Sequence, residues 1–84
     1  MNEKSKKVNI QYYAVLREER GLSSEAVATP AETVAQLYEE LKCQHRFKLS
    51  TDVLRVAINN EFCDWQRSLK ENDTVVFIPP VAGG

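Results

Sequence analysis

The chain has little of what protein-borne chemistry usually requires. Its 84 residues include one histidine, two cysteines and one tryptophan. Cys43 and Cys63 show no Cys-x-x-Cys spacing, and with His45 alone they cannot complete a four-ligand zinc site, so they read as reduced thiols. Glycine and proline number three each, too few for a low-complexity chain. Neither sign of charge dominates: eleven Lys and Arg face twelve Asp and Glu, for a net charge of −1. Nucleic-acid binders depend on a clustered basic surface, and the short run Lys4, Lys6 and Lys7 does not supply one. No apolar stretch approaches the roughly 20 residues of a membrane helix. The opening MNEKSKKVNI has positive charge but neither the apolar core nor the small-residue cleavage site of a signal peptide. A cytoplasmic protein with no nucleic-acid or membrane partner is therefore expected. Ser/His/Asp spacing, HExxH, GxGxxG and the P-loop are all missing. Activity as a self-sufficient enzyme is not expected, nor is a bound metal or cofactor.

What is present fits one small domain. Residues 1–7 are polar and charged, and read as a disordered arm. From Val8 the pattern alternates, with Val8, Ile10, Tyr12 and Ala14 on one face and Asn9, Gln11, Tyr13 and Val15 on the other, which predicts a half-buried strand. Arg17 to Gly21 reads as a turn, and Glu25 to Thr29 as a second strand in a hairpin with the first. Thr33 to about Gln44 switches to helical spacing, with Val34, Leu37, Tyr38 and Leu41 on one stripe. Two capping templates compete, Thr33 with Gln36 and Thr29 with Glu32; Thr33 is favoured because the apolar period starts directly after it. A loop follows, with Phe47 and Leu49 tucked beneath it. Leu54, Val56 and Ile58 then predict a third strand, Asn60-Glu61 a turn into a short edge strand around Phe62, and Thr74 to Ile78 the most apolar strand. The order β-β-α-β-β-β, with one helix to cover a mixed sheet, is the α+β, ubiquitin-like β-grasp arrangement. Its expected bounds are 8–80, followed by a tail over 81–84.

The unusual segment is Phe77-Ile78-Pro79-Pro80-Val81-Ala82-Gly83-Gly84. Pro79-Pro80 stops the ladder and favours a stiff, extended chain. Six residues from Pro79 reach at most about 20 Å, enough to enter another protein's active site. Gly83 and Gly84 carry no side chains, so a narrow channel could admit the backbone up to a carboxylate. An α-carboxyl with a pKa of about 3.3–3.7 is an anion near neutrality and a poor electrophile. It becomes useful once another enzyme activates it, as an acyl-adenylate made from ATP. A sulfur nucleophile would then give a thiocarboxylate, and an amine an isopeptide bond.

Several segments resemble the small, sulfur-carrier subunit of molybdopterin synthase, the MoaD type of the ThiS/MoaD superfamily. They are Tyr13-Ala14-Val15-Leu16-Arg17-Glu18, Thr33-Val34-Ala35-Gln36-Leu37, Val56-Ala57-Ile58-Asn59, Leu69 through Val76, and Pro79-Pro80-Val81-Ala82-Gly83-Gly84. The last is the most specific. Tyr12 and Tyr13 stand where the family often has Phe, and Glu71-Asn72-Asp73 where it has an Asp-Gly-Asp turn, which Asn72 can replace by tolerating positive φ. The resemblance implies that an E1-like adenylating enzyme (MoeB type) activates Gly84 with ATP and that a sulfurtransferase system makes the thiocarboxylate. It further implies that the tail, Val81, Ala82 and Gly83 included, enters a large catalytic subunit (MoaE type) in a heterotetramer. There it would donate sulfur to cyclic pyranopterin monophosphate to build the dithiolene that holds molybdenum.

Strand parity adds a partner surface. With Val75 and Phe77 inside, Val76 and Ile78 face outward together with Tyr13 and Ala57, forming a continuous apolar face next to Pro79 and Pro80. Arg17 is left out of this site, because a surface ion pair with Glu18 or Glu25 explains it equally well. The competing readings are a sulfur carrier for thiamine thiazole synthesis, a ubiquitin-like modifier joined to lysines, and a passive interaction module.

Overall fold

The computed structural model describes residues 5–80; residues 1–4 of the expected arm and the expected tail, 81–84, lie outside the described residues. The chain runs β1 (Lys6–Tyr12), α1 (Ala14–Arg20), β2 (Ser24–Thr29), α2 (Val34–His45), β3 (Arg55–Ile58), β4 (Glu61–Cys63) and β5 (Thr74–Ile78). The strands form one mixed sheet in the order β2-β1-β5-β3-β4. β1 and β5 are parallel and every other neighbouring pair is antiparallel. This is the β-grasp architecture that the pattern predicted.

Alternation sets which face of the sheet is covered. Val8, Ile10 and Tyr12 of β1, Val56 and Ile58 of β3, and Val75 and Phe77 of β5 are all buried against α2, whose Val34, Leu37, Tyr38 and Leu41 close the other side of the core. β-Branched and aromatic side chains suit this half-covered pleated surface. Tyr38 is the aromatic hub, with ring centroids 5.1 Å from Phe77, 5.9 Å from Trp65 and 6.0 Å from Phe47. Its hydroxyl leaves the core to donate to the Leu49 carbonyl at 2.7 Å, which pins the loop after α2. Burial pushes the Tyr38 hydroxyl up to about 12, so it stays a donor.

The start of α2 is capped as expected. The Thr33 hydroxyl accepts from the Gln36 amide at 3.2 Å, while the Gln36 side chain reaches back to accept from the Glu32 amide at 2.7 Å. Thr29, the competing cap, has another task. Fully buried, its hydroxyl accepts from the Ala31 amide at 3.0 Å and donates to Glu40 at 2.6 Å, tying β2 to α2.

Three expectations are corrected. The alternation carried the first strand to Val15 and made Arg17 to Gly21 a turn, but β1 stops at Tyr12 and Ala14–Arg20 is a helix. Its residues are mostly good helix formers, Leu16 drops into the core, and Gly21 at φ 82° ends it by donating its amide to the Arg17 carbonyl at 2.8 Å. At the other end, Lys6 and Lys7 belong to β1 rather than to the arm, since they pair with Thr29 and Ala28 and Lys6 Nζ donates to the Ala31 carbonyl at 2.8 Å. The turn into β4 is Asn59-Asn60, one residue earlier than expected. Its φ angles of 53° and 74° suit the two-residue hairpin that pairs Ile58 with Glu61. Asn72 takes φ 70°, as its turn required. The two turns are joined through Asp73, whose carboxylate accepts from Asn59 Nδ2 at 3.1 Å and from the Lys70 amide at 2.8 Å.

One polar cluster fastens α1 to the sheet edge. Arg20 donates from Nε and from a terminal guanidinium nitrogen to the two carboxylate oxygens of Glu25, both at 2.8 Å, and the Tyr12 hydroxyl donates to Glu25 at 2.6 Å. Glu25 therefore pairs with Arg20 and not with Arg17. Hydrogen bonding to Arg20 holds the Glu25 carboxyl below its ordinary value, against the opposing effect of burial. The Tyr12 hydroxyl is raised, first by burial and then by Glu25. Because the folded Glu25 value is the lower one, its contribution to stability is complete above the unfolded value of about 4.3 and is lost as pH falls through the folded value. Glu25→Gln should lower stability near neutrality by about 1–2 kcal/mol and flatten the acid side of the stability profile. Urea unfolding at a series of pH values checks both effects.

Candidate functional site

β5 lies in the middle of the sheet, with β1 on one side and β3 on the other, and leads directly into Pro79 and Pro80. The two flanking strands do not run equally far. On the β3 side, Ile78 is still paired with Arg55. On the β1 side, pairing ends at Tyr12 with Phe77, because the chain turns away at Ala14 into α1. Ile78, Pro79 and Pro80 thus run on without a neighbouring strand on that side. A groove of about 610 Å³ opens there, lined by Tyr13, Ala14, Val15, Glu18, Leu49, Ile78, Pro79 and Pro80.

Each wall has an identifiable support. Leu49 is fixed by the hydrogen bond from Tyr38 to its carbonyl. Tyr13 and Val15 flank Ala14, which sits at φ 54°. Left-handed backbone costs a residue with a Cβ about 1–2 kcal/mol, and alanine has no polar side chain with which to compensate. The Leu16 amide donates to the Tyr13 carbonyl at 3.1 Å and steadies the turn.

The residues expected to meet a partner divide into two sets. Tyr13, 48% exposed, joins Ile78, Pro79 and Pro80 around the groove, with Ile78 half-buried, Pro79 buried and Pro80 exposed. Ala57 and Val76 face outward as parity requires and are cross-strand partners. They are nevertheless only 8% and 9% exposed, so the open apolar face expected around them is not present. Both are short side chains in central strands, flanked in register by the longer Gln11 and Phe62. Phe62, paired with Ala57 and 66% exposed, is the residue that the sequence reading missed. The Arg55 guanidinium lies 5.6 Å from its ring centroid. Its signal was available, since a phenylalanine outward on a three-residue edge strand has little to cover it. Val81, Ala82, Gly83 and Gly84 lie outside the described residues.

Among the described residues, no group of three or more His, Cys, Asp or Glu could hold a metal ion, and no helix is long and apolar enough to cross a membrane. Burial raises the Cys63 thiol, which disfavours a reactive thiolate there. The geometry defines a ubiquitin-like domain whose central strand leads into Pro79 and Pro80 beside an apolar groove.

The comparisons with known proteins agree with that class. The ThiS family model matches residues 10–84, and the chain belongs to the ThiS family, the ubiquitin-like sulfur carriers of the ThiS/MoaD type. Among solved structures, it is similar to a Pyrococcus furiosus protein described as molybdopterin converting factor subunit 1, with 29% identity over 92% of this chain and 100% of that one and a TM-score of 0.78. It is also similar to subunit 1 or 2 in a complex of those molybdopterin-converting factor subunits from Helicobacter pylori, with 24% identity, 93% and 99% coverage and a TM-score of 0.63. Small archaeal modifier protein 1 of Haloferax volcanii matches with 21% identity, 90% and 99% coverage and a TM-score of 0.77. The last two likenesses bear on the fold alone.

The division between shielded and open positions can be tested by stability. Val76→Asp buries a carboxylate with no partner and should cost at least about 3 kcal/mol in urea unfolding. Tyr13→Asp, at an open position, should stay within about 0.5 kcal/mol of the parent.

Proposed function

We propose that this protein is the sulfur-carrying small subunit of a molybdopterin synthase. The carboxylate of Gly84 would be adenylated by an activating enzyme at the expense of ATP. A sulfurtransferase system would then replace AMP by sulfur, giving a thiocarboxylate. The large subunit would receive the tail, and the thiocarboxylate sulfur would displace an oxygen substituent from a carbon of cyclic pyranopterin monophosphate, the carbon–oxygen bond breaking and the oxygen leaving protonated. Hydrolysis of the resulting acyl link regenerates the carboxylate and leaves sulfur on the pterin, and repetition builds the dithiolene. The chain itself holds no part of the catalytic apparatus in this scheme. It presents the tail, and Tyr13, Ile78, Pro79, Pro80 and Phe62 form the surface against which the large subunit would seat.

The observation that supports this reading best is the groove beside Ile78, Pro79 and Pro80, open on the β1 side and immediately ahead, in sequence, of Val81-Ala82-Gly83-Gly84. The 29% identity with the Pyrococcus protein favours the molybdopterin branch of the family over the thiazole branch.

Reconstitution is the direct test. The thiocarboxylated protein, mixed with the large subunit and cyclic pyranopterin monophosphate, should yield the dithiolene product, and the chain shortened by Gly83-Gly84 should yield none. Tyr13→Asp should weaken binding of the large subunit by about tenfold or more in titration calorimetry, as loss of an exposed aromatic anchor commonly does. Failure to sulfurate the pterin, combined with sulfur delivery to a thiazole synthase, would transfer the protein to the thiazole branch. Lysine-linked conjugates that survive reductant would make it a modifier.

A further inference from the structure

The alternating pattern of β1 continues in the sequence through Ala14 and Val15, yet the strand stops at Tyr12. The interruption falls at Ala14, whose φ of 54° is unusual for a residue with a methyl side chain and no way to bond its own backbone. Among the described residues, the other non-glycine positions at positive φ are Asn59, Asn60 and Asn72, whose side chains tolerate that region, and Arg46, which caps α2 at its C-terminal end. Ala14 alone among them lines the groove at the root of the tail. Strain of this kind persists where the surroundings over-determine it, and it gathers at functional sites.

The surroundings here show what the turn accomplishes. Were Ala14 extended, β1 would continue beside Ile78 and Pro79 and occupy the space where the groove now lies. The left-handed turn instead sends Leu16 into the core, fully buried, and leaves Tyr13 and Val15 exposed on the groove wall. We propose that Ala14 is a positioning residue: its strained turn holds the groove open and its Tyr13 wall fixed for the protein that receives the tail. The inference rests on the proposed synthase reading, because the receiving protein is the large subunit.

Ala14→Gly separates this role from a merely structural one. Glycine adopts the left-handed turn without strain, so the variant should unfold at the same or higher urea concentration than the parent. Glycine's positive-φ region is also much broader than the small one open to alanine, so within a turn that the buried Leu16 keeps left-handed the Tyr13 wall is held less closely. Affinity for the large subunit in titration calorimetry should therefore fall by about two- to fivefold, the effect of the conformational freedom a glycine adds. In the reconstituted reaction, KM for the carrier should rise with kcat unchanged. A protein assembled by chemical ligation with the D-enantiomer of alanine at position 14, which prefers positive φ, should recover the parental affinity.

Unchanged affinity of Ala14→Gly would overturn the proposal, as would a loss of stability in that variant or a D-alanine protein that binds as weakly as the glycine one. Should the parent protein itself fail to bind the large subunit, the synthase reading is what fails.

Discussion

The placement of β5 between β1 and β3 is the constraint on which the rest of the structure depends. A strand paired on both sides and buried through Val75 and Phe77 cannot slip without carrying its apolar residues to the wrong face. Its register fixes where Ile78 hands the chain to Pro79 and Pro80. The proposed delivery of the last residues to another protein would need such a fixed root. The parallel pairing with β1 contributes a second property. The connection from β1 to β5 passes through most of the chain, so the root of the tail is secured by the whole fold and not by a local hairpin.

The core and the groove share supports. Tyr38 packs against Phe77 of β5 and at the same time holds Leu49 at the groove wall through its hydroxyl. Leu16 fills the core and thereby directs the turn at Ala14. Among the described residues, no buried side-chain polar atom is left without a hydrogen-bond partner. The polar clusters centred on Glu25 and Asp73 are thus compatible with a close-packed interior, since a buried polar group is costly only when it is left unpaired. The outer face differs in kind. Its central positions, Ala57 and Val76, are small and shielded, and exposure is concentrated at Tyr13, Phe62 and Pro80.

Much of this was legible in the sequence because it follows from strong periodicity. Val8, Ile10 and Tyr12 showed the period of two, and Val34, Leu37, Tyr38 and Leu41 the helical one; Thr33 and Asn72 announced a cap and a turn through side-chain chemistry. The seven-residue helix α1 was not legible, since two turns with a single buried residue, Leu16, show no period, and the strand alternation runs on through the same letters. The left-handed conformation of Ala14 carries no letter of its own, because glycine or asparagine would be the usual sign. Parity placed Ala57 and Val76 on the outer face correctly but could not report how far their neighbours shield them. Tyr13 and Ile78 were legible as one patch, whereas the groove between them required knowing where β1 stops.

The proposed sulfur-carrying role turns on the chemical state of Gly84. The most direct measurement is the intact mass of the protein after incubation with an activating enzyme, ATP and a sulfur donor, with tandem fragmentation to locate any change. The account predicts the mass gained when sulfur replaces one oxygen, located at the C-terminal glycine and absent when ATP is withheld. An unaltered Gly84 in the presence of an activating system that modifies its own carrier would contradict it.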